Sequence, residues 1–344
     1  MSAGKKIIVT GGFGFIGSHT VADLAQKGFE PVIIDDESRA GKYIPEGLKK
    51  ILGKSPLSYP VNLSNRTDAL KVFEQHRDAV AIIHFAAYKD VAESVENPLL
   101  YYKNNLGSML TVLEAMELYK IPNLIFSSSC TVYGNADQLP VTEETPLQPA
   151  ESPYGHTKQV CEQMIRNFSL AHPQFNMVLL RYFNPAGAHP SAEIGEYLFQ
   201  KGSNLIPVVS QSAAGLRGKL TVNGDDYPTR DGTCLRDFIH VMDIADAHTL
   251  SVSWLLEKKN SSNCEVFNLG SGNGITVMEV LTTFEKVNHL KLDYTIGPRR
   301  EGDIVSIYAN NEKAKKQLGW NPNYSLEDML TTAWKWQQKL LSFG

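Results

Sequence analysis

Residues 6 to 35 constrain the fold more than any other stretch of the chain. Lys6-Ile7-Ile8-Val9 is a short apolar run that ends in Thr10-Gly11-Gly12-Phe13-Gly14-Phe15-Ile16-Gly17. An amphipathic segment from Ile16 to Gln26 follows, with Gly28 as its stop. Pro31-Val32-Ile33-Ile34 then reads as a second buried strand ending at Asp35-Asp36. Strand, glycine turn, helix and strand within about 30 residues is the size of a βαβ unit. The form Gly11-x-x-Gly14-x-x-Gly17 permits a tight turn, close approach of backbone to a pyrophosphate, and close helix–sheet contact. Asp35, 18 residues beyond Gly17, is placed to bind the adenosine ribose hydroxyls of a dinucleotide. A 2′-phosphate would be repelled by Asp35, Asp36 and Glu37, so the turn predicts NAD rather than NADP, with Arg39 the one residue able to soften that preference.

The same rhythm continues. Apolar runs come at Leu57 to Val61, Ala81 to Phe85, Leu124 to Phe126 and Met177 to Leu180, separated by helical stretches that include Leu99 to Tyr119 and Tyr154 to Ala171. Alternating strands and helices predict an α/β chain with a doubly wound parallel sheet. After Arg181 the rhythm changes: residues 184–235 are rich in Gly, Pro and Asn and have no clear period. Arg236 to Val241 and Glu265 to Leu269 look like strands returning to the sheet. The expected organisation is a Rossmann domain over 1–183 and about 236–269, with a smaller α/β substrate lobe over about 184–235 and 270–344.

Tyr154-Gly155-His156-Thr157-Lys158 carries the candidate chemistry. Tyr154 and Lys158 are four apart, so on a helix they stand one turn apart on one face. A tyrosine acts as a base near neutrality only if its pKa falls from about 10 to about 7, roughly 4 kcal/mol of differential stabilisation. Lys158 alone is marginal for that, and a second positive charge helps. An oxidised nicotinamide ring provides one. Read alone, the pair also fits an ordinary amphipathic helix with Tyr154 packed and Lys158 solvated. Ser127-Ser128-Ser129 likewise fits the plain end of a strand.

Composition narrows the function classes. A formal net charge of −4 argues against general nucleic-acid binding. The N-terminal residues run into the first strand without an apolar leader core, and no apolar stretch is long enough to cross a bilayer. Cys130, Cys161, Cys234 and Cys264 are scattered, with no Cys-x-x-Cys pair, so neither a zinc site nor a disulfide framework is indicated, and no His or acid cluster has metal-site spacing. His240 and His248 read as packing residues. The expectation is a soluble cytoplasmic protein without a metal.

Three segments resemble the extended short-chain dehydrogenase/reductases. They are the glycine turn, Ser127-Ser128-Ser129-Cys130-Thr131-Val132-Tyr133-Gly134, and Ser152-Pro153-Tyr154-Gly155-His156-Thr157-Lys158. Five others place the resemblance among the UDP-glucose (UDP-galactose) 4-epimerase family: His84 to Lys89, Arg181 to Pro190, Gly224 to Thr229, Arg236 to Asp243, and Pro298-Arg299-Arg300-Glu301-Gly302-Asp303. The resemblance implies an NAD site made by Gly11, Gly14, Phe15, Ile16, Gly17, Asp35, Asp36, Asn62 and Leu63 on one side. Phe85, Ala86, Ala87, Lys89, Asn105, Ser127, Tyr154, Lys158, Tyr182 and Phe183 complete it. Ser129 and Tyr154 face the 4-hydroxyl of the sugar, and Asn184, Asn204, Leu205, Arg236, Arg300 and Asp303 hold the UDP portion. Ile307, four past Asp303, lines the sugar pocket and sets tolerance of N-acetylated sugars, or else lies buried behind it.

One departure is visible. Where the family has Asp before a small apolar residue near the adenine, this chain has Asn62-Leu63, and Asn62 is expected to accept from the adenine amino group through its side-chain oxygen. The implied reaction is reversible inversion at C4 of UDP-galactose or UDP-glucose through a 4-keto sugar. The implied assembly is a homodimer through the helices near 99–119 and 154–171, although both helices could pack within one subunit. Two rivals stand beside it. A nucleotide-sugar 4,6-dehydratase needs an extra acid–base pair, but Cys130-Thr131 occupy the positions after the serine motif. A non-catalytic NAD-sensing protein needs neither Tyr154 nor Ser129. Arg236-Asp237 is open between a substrate contact and a structural ion pair.

Overall fold

The computed structural model describes residues 4–198, 204–300 and 304–343. Six strands alternate with helices in its first half: β1 (Lys6–Thr10), β2 (Glu30–Ile34), β3 (Leu57–Tyr59), β4 (Ala81–His84), β5 (Asn123–Ser129) and β6 (Asn176–Tyr182). The later strands are β7 (Asn184–Ala186), β8 (Leu220–Asn223), β9 (Leu235–Arg236), β10 (Phe238–His240), β11 (Cys264–Leu269), β12 (Ile275–Thr276), β13 (Tyr294–Gly297) and β14 (Ser306–Ile307). The first helices are α1 (Phe15–Gln26), α2 (Ile44–Leu52), α3 (Arg66–Gln75), α4 (Val91–Glu96), α5 (Pro98–Tyr119) and α6 (Pro153–Ala171). The later ones are α7 (Leu205–Ala213), α8 (Val241–Leu256), α9 (Val277–Asn288) and α10 (Leu326–Leu341).

Seven strands form the central sheet in the order β11-β6-β5-β4-β1-β2-β3, all parallel. This is the doubly wound sheet that the alternation predicts. Apart from the edge strand β3, whose Leu57 is exposed, the strands are buried on both faces, because alternate residues feed two separate cores. Ile7, Val9, Ile33, Ile83, Ile125, Val178 and Leu180 join α1 and α8 on one side. Ile8, Val32, Ile82, Leu124, Phe126 and Leu179 join α3, α5 and α6 on the other. Double burial is why these strands read as unbroken apolar runs. The strand order reverses between β1 and β4, and ligands bind at such a switch point, beyond the carboxyl ends of the strands.

Two expectations are corrected. α1 is not amphipathic: Gly17 to Leu24 are buried without a break, because α8 covers the face that a two-layer arrangement would leave to water. Arg236 to Val241 do not return to the central sheet, whereas Glu265 to Leu269 do. β9 pairs with β12 and β14, and β10 pairs with β7, in two small sheets beyond the ends of β6 and β11. Among its described residues, the aperiodic stretch 184–235 contains α7 and the short strands β7 and β8, and it ends on Leu235, the first residue of β9. A third core joins α7, β8, α9 and α10, while Trp336 of α10 packs into the first core, so this helix ties the two together. Among the described residues no helix is long and apolar enough to cross a membrane.

Candidate active site

The glycine turn lies at the switch point and is shaped for a dinucleotide. Gly11 has φ +69° and meets the backbone of Ala86 so closely that a Cβ there would lie 2.7 Å from the Ala86 amide nitrogen. A Cβ on Gly17 would lie 2.2 Å from the Gly11 carbonyl oxygen. α1 starts at Gly14 with no side chain capping its amides and no acid in its first turn, which presents the positive end of the helix to an anion. The carboxylate of Asp35 accepts from the amides of Phe13 (2.9 Å) and Glu37 (2.8 Å), so it is fixed beside the turn. Burial raises its pKa, the two N–H bonds oppose that, and the Asp36 and Glu37 charges add to it. Arg39 forks onto Glu93 and lies 3.7 Å over the Tyr88 ring, so its guanidinium is engaged away from a ribose phosphate. These residues fit NAD.

Asn62 departs from expectation. Its side-chain oxygen already accepts from the Ser64 amide (2.8 Å) and hydroxyl (2.6 Å), and its Nδ2 donates to Asp36 (2.6 Å). Both lone pairs expected to serve an adenine amino group are therefore used within the protein. Leu63 beside it is buried. Across the crevice, Phe85 leaves β4 and packs on His248, Ala86 meets Gly11, and Ala87 follows half-buried. Lys89 pairs with Glu196 at 2.8 Å and passes 5.8 Å from the Phe15 ring. Asn105 is buried, and its amide grips the backbone of Tyr88 and the hydroxyl of Thr157.

The serine motif ends β5 and the Tyr154–Lys158 pair opens α6, so strand end and helix start meet beside the crevice. Ser152 caps α6 through the Gly155 amide, and Pro153 occupies its first turn, which fixes where Tyr154 stands. The Ser129 hydroxyl lies close enough to the Tyr154 phenol to favour its ionised form. Lys158 Nζ donates to the Ser127 carbonyl at 2.6 Å, 6.0 Å from the centre of the Tyr154 ring. Tyr182 hydrogen-bonds Ser127 Oγ, and Phe183 is buried beyond it. Burial pushes the Tyr154 phenol up to about 12, partly opposed by Ser129, and burial pulls Lys158 down to about 8. The protein alone therefore moves Tyr154 away from the value a base needs.

Sequence reasoning missed a buried network directly behind this pair. Arg181 forks onto Glu162 at 2.8 and 2.6 Å, Ser128 donates to the same carboxylate at 2.6 Å, and Arg181 also donates to Tyr133. The available signal was Arg181 inside the otherwise apolar β6 together with an acid four residues past Lys158. Glu196 was also missed: its Oε1 accepts from both Lys89 and Asn204 Nδ2 (2.7 Å).

On the substrate side, Asn184 begins β7, its amide bonded to the Asp237 carbonyl, and Asn204 is the N-cap residue of α7, followed by Leu205. Arg236 lies on β9, and its charge acts on Cys130, the residue after Ser129. The Asp237 carboxylate turns to Ser271, Gly272 and the Ala309 amide, so it staples loops around Arg236. Ile307 pairs with Arg236 across β14 and β9 and is buried among Val132, Tyr133, Phe183 and Ala309. Arg300 is exposed after β13. Asp303 lies outside the described residues. His240 is buried against Tyr324 and Thr332, and His248 bonds the Ile244 carbonyl, as packing residues do.

A family model described as GDP-mannose 4,6 dehydratase matches residues 8–333. The UDP-glucose 4-epimerase 2 of Arabidopsis thaliana is 44% identical over 335 residues, 96% of this chain and 95% of its own. The crystal structure of a UDP-glucose-4-epimerase from Stenotrophomonas maltophila, with bound NAD and formylated UDP-arabinopyranose, superposes with a TM-score of 0.95 at 38% identity, covering 99% of this chain and all (100%) of that one. A UDP-glucose 4-epimerase from Bifidobacterium longum in complex with NAD+ and UDP gives a TM-score of 0.91 at 40% identity, covering 97% and 98% of the two chains. These relatives, each matched over nearly their full length, are named epimerases. The chain belongs to the UDP-glucose 4-epimerase family.

Proposed function

We propose that this chain inverts C4 of a UDP-hexose, interconverting UDP-galactose and UDP-glucose through a 4-keto sugar with tightly bound NAD. The observation that carries the reading is the meeting of Ser129, Tyr154 and Lys158 at a crevice whose glycine turn fits a dinucleotide. NAD⁺, when bound, supplies the hydride acceptor and donor at C4 and a positive charge near the Tyr154 phenol. With that charge present, the Tyr154 oxygen takes the proton of the sugar 4-hydroxyl, directly or through Ser129, and returns it once the ketone has turned over. Lys158, fixed by the Ser127 carbonyl, holds its ammonium beside the phenol. Asn184, Asn204, Leu205, Arg236, Arg300 and Asp303 anchor the UDP end, so the sugar can swing without release.

Several finer readings belong to the same proposal. Leu99, Leu110 and Leu118 of α5 and Leu170 of α6 are exposed, which supports a homodimer through these helices. Four free cysteines support a reducing, cytoplasmic compartment. The two-lobe division at about 184–235 and 270–344 is supported by the third core. The test is incubation of the purified protein with UDP-galactose and no added cofactor. UDP-glucose as product supports the epimerase. A 4-keto-6-deoxy sugar, or no turnover, refutes it.

A further inference from the structure

The position where this chain departs from its family is occupied in a way that changes its role. Asn62 follows β3, and Asp36 follows β2; the two strands pair in parallel, with Ile34 opposite Tyr59. The orientation of the Asn62 amide is set by its neighbours. The Ser64 backbone N–H can only donate, so the atom facing it is the oxygen, and the nitrogen must face Asp36. Asp36 is gripped from both sides. Its Oδ1 accepts from the Ser38 amide (3.0 Å) and hydroxyl (2.6 Å), and its Oδ2 accepts from Asn62. Asp35 is the preceding residue, tied by its own carboxylate to Phe13 and Glu37. A chain of hydrogen bonds therefore runs from the glycine turn through Asp35 and the Asp36 turn to Asn62 and Ser64.

Resting on the NAD reading above, we propose that Asn62 is a positioning residue for the adenosine half of the cofactor site. It locks Asp36, and with it the ribose-selecting turn at Asp35, in one conformation, rather than reading the base. An amide suits this place because Asp36 needs a donor there. An aspartate would set two carboxylates at hydrogen-bond distance, in a turn that already holds Asp35, Asp36 and Glu37. The two roles predict opposite signs for one substitution. If residue 62 read the adenine amino group, Asn62→Asp would supply a stronger, charged acceptor and tighten NAD. If residue 62 locks Asp36, the same change breaks the lock and loosens it.

The experiment follows exchange of bound NAD⁺ for isotopically labelled NAD⁺ in the protein as purified, without reference to turnover. Asn62→Asp should exchange about 10- to 100-fold faster, the loss expected for a hydrogen bond to a charged group. The reciprocal double variant Asp36→Asn with Asn62→Asp restores one donor and one acceptor across the same gap. It should exchange NAD more slowly than Asn62→Asp alone, the coupling expected of direct partners. A slower or unchanged exchange in Asn62→Asp overturns the inference, as does a double variant no better than the single one. Asp35→Ala serves as the control for the NAD reading, with faster exchange and a narrower advantage of NAD over NADP expected. If Asp35→Ala alters neither, the NAD reading falls and the inference falls with it. If only the Asn62 variants fail, the NAD reading stands.

Discussion

Along one row of α6, Tyr154, Lys158 and Glu162 stand at successive turns, and the two ends of that row handle buried charge in opposite ways. Glu162 is nearly inaccessible, yet each of its oxygens meets a donor: Arg181 forks onto it and Ser128 adds a third bond. Among the described residues, Lys158 is equally buried but donates to the Ser127 carbonyl alone, and only the Ser129 hydroxyl favours ionisation of the Tyr154 phenol. The first pair is closed, with its charges matched and held up above the usual range on the Arg181 side. The second is short of a positive charge, with the phenol driven up and the ammonium driven down. On the function proposed above, the charge missing from this second pair is the one that the cofactor brings.

Breaking the comparison at its open end should have the largest effect. Tyr154→Phe removes only the proton carrier and should lower turnover about 10²- to 10⁴-fold, with NAD retained and the thermal midpoint nearly unchanged. Near-native turnover measured on UDP-galactose would refute the assignment. Breaking the closed end should act on stability instead. Arg181→Met leaves Glu162 buried without its counter-ion and should lose about 3–5 kcal/mol in urea unfolding. A loss below about 1 kcal/mol would show that the pair is not the strut it resembles.

Lys158→Met sharpens the contrast, because the two readouts should move in opposite directions. Turnover falls and activity appears only at higher pH, since the phenolate loses a neighbouring cation. Stability near neutral pH should rise by a few degrees. With a folded pKa of about 8 against the ordinary 10.5, the native chain binds fewer protons than the unfolded chain between those values. Lys158 therefore destabilises the fold fully below pH about 8, and the penalty fades as pH rises towards 10.5. A variant less stable than native at pH 7 would contradict this. The smallest effect is expected at Ile307. Ile307 is buried against Phe183 and Tyr133; if it walls the sugar pocket, its stiff, medium-sized side chain should let UDP-N-acetylgalactosamine turn over measurably but more slowly than UDP-galactose. Ile307→Tyr should abolish that activity selectively, and Ile307→Ala should raise it. Parallel changes in kcat/KM for both substrates would remove Ile307 from the specificity account.

Much of this was legible because it is local. The glycine turn, the Tyr154–Lys158 spacing and the apolar strands each depend on neighbours a few residues away. What escaped depends on distant partners. α1 reads as amphipathic because α8, which covers its outer face, lies more than 200 residues later. Arg236 to Val241 have strand composition, but Asp237 needs four donors from segments near 271 and 309, which pulls the stretch out of the central sheet. Asn62 looked like a weakened adenine contact until Asp36, 26 residues earlier, was found opposite it. Arg181 was visible as a charge inside an apolar strand, but its partner could be named only once α6 lay across β6.

The central claim is that the Tyr154–Lys158 pair is completed by the charge of the cofactor. It is tested most directly by titrating the Tyr154 phenol through its ultraviolet absorbance, as the difference between the native protein and Tyr154→Phe, with and without NAD⁺. The account predicts ionisation near neutral pH with NAD⁺ bound and only towards about 12 without it. The same midpoint in both states would contradict it.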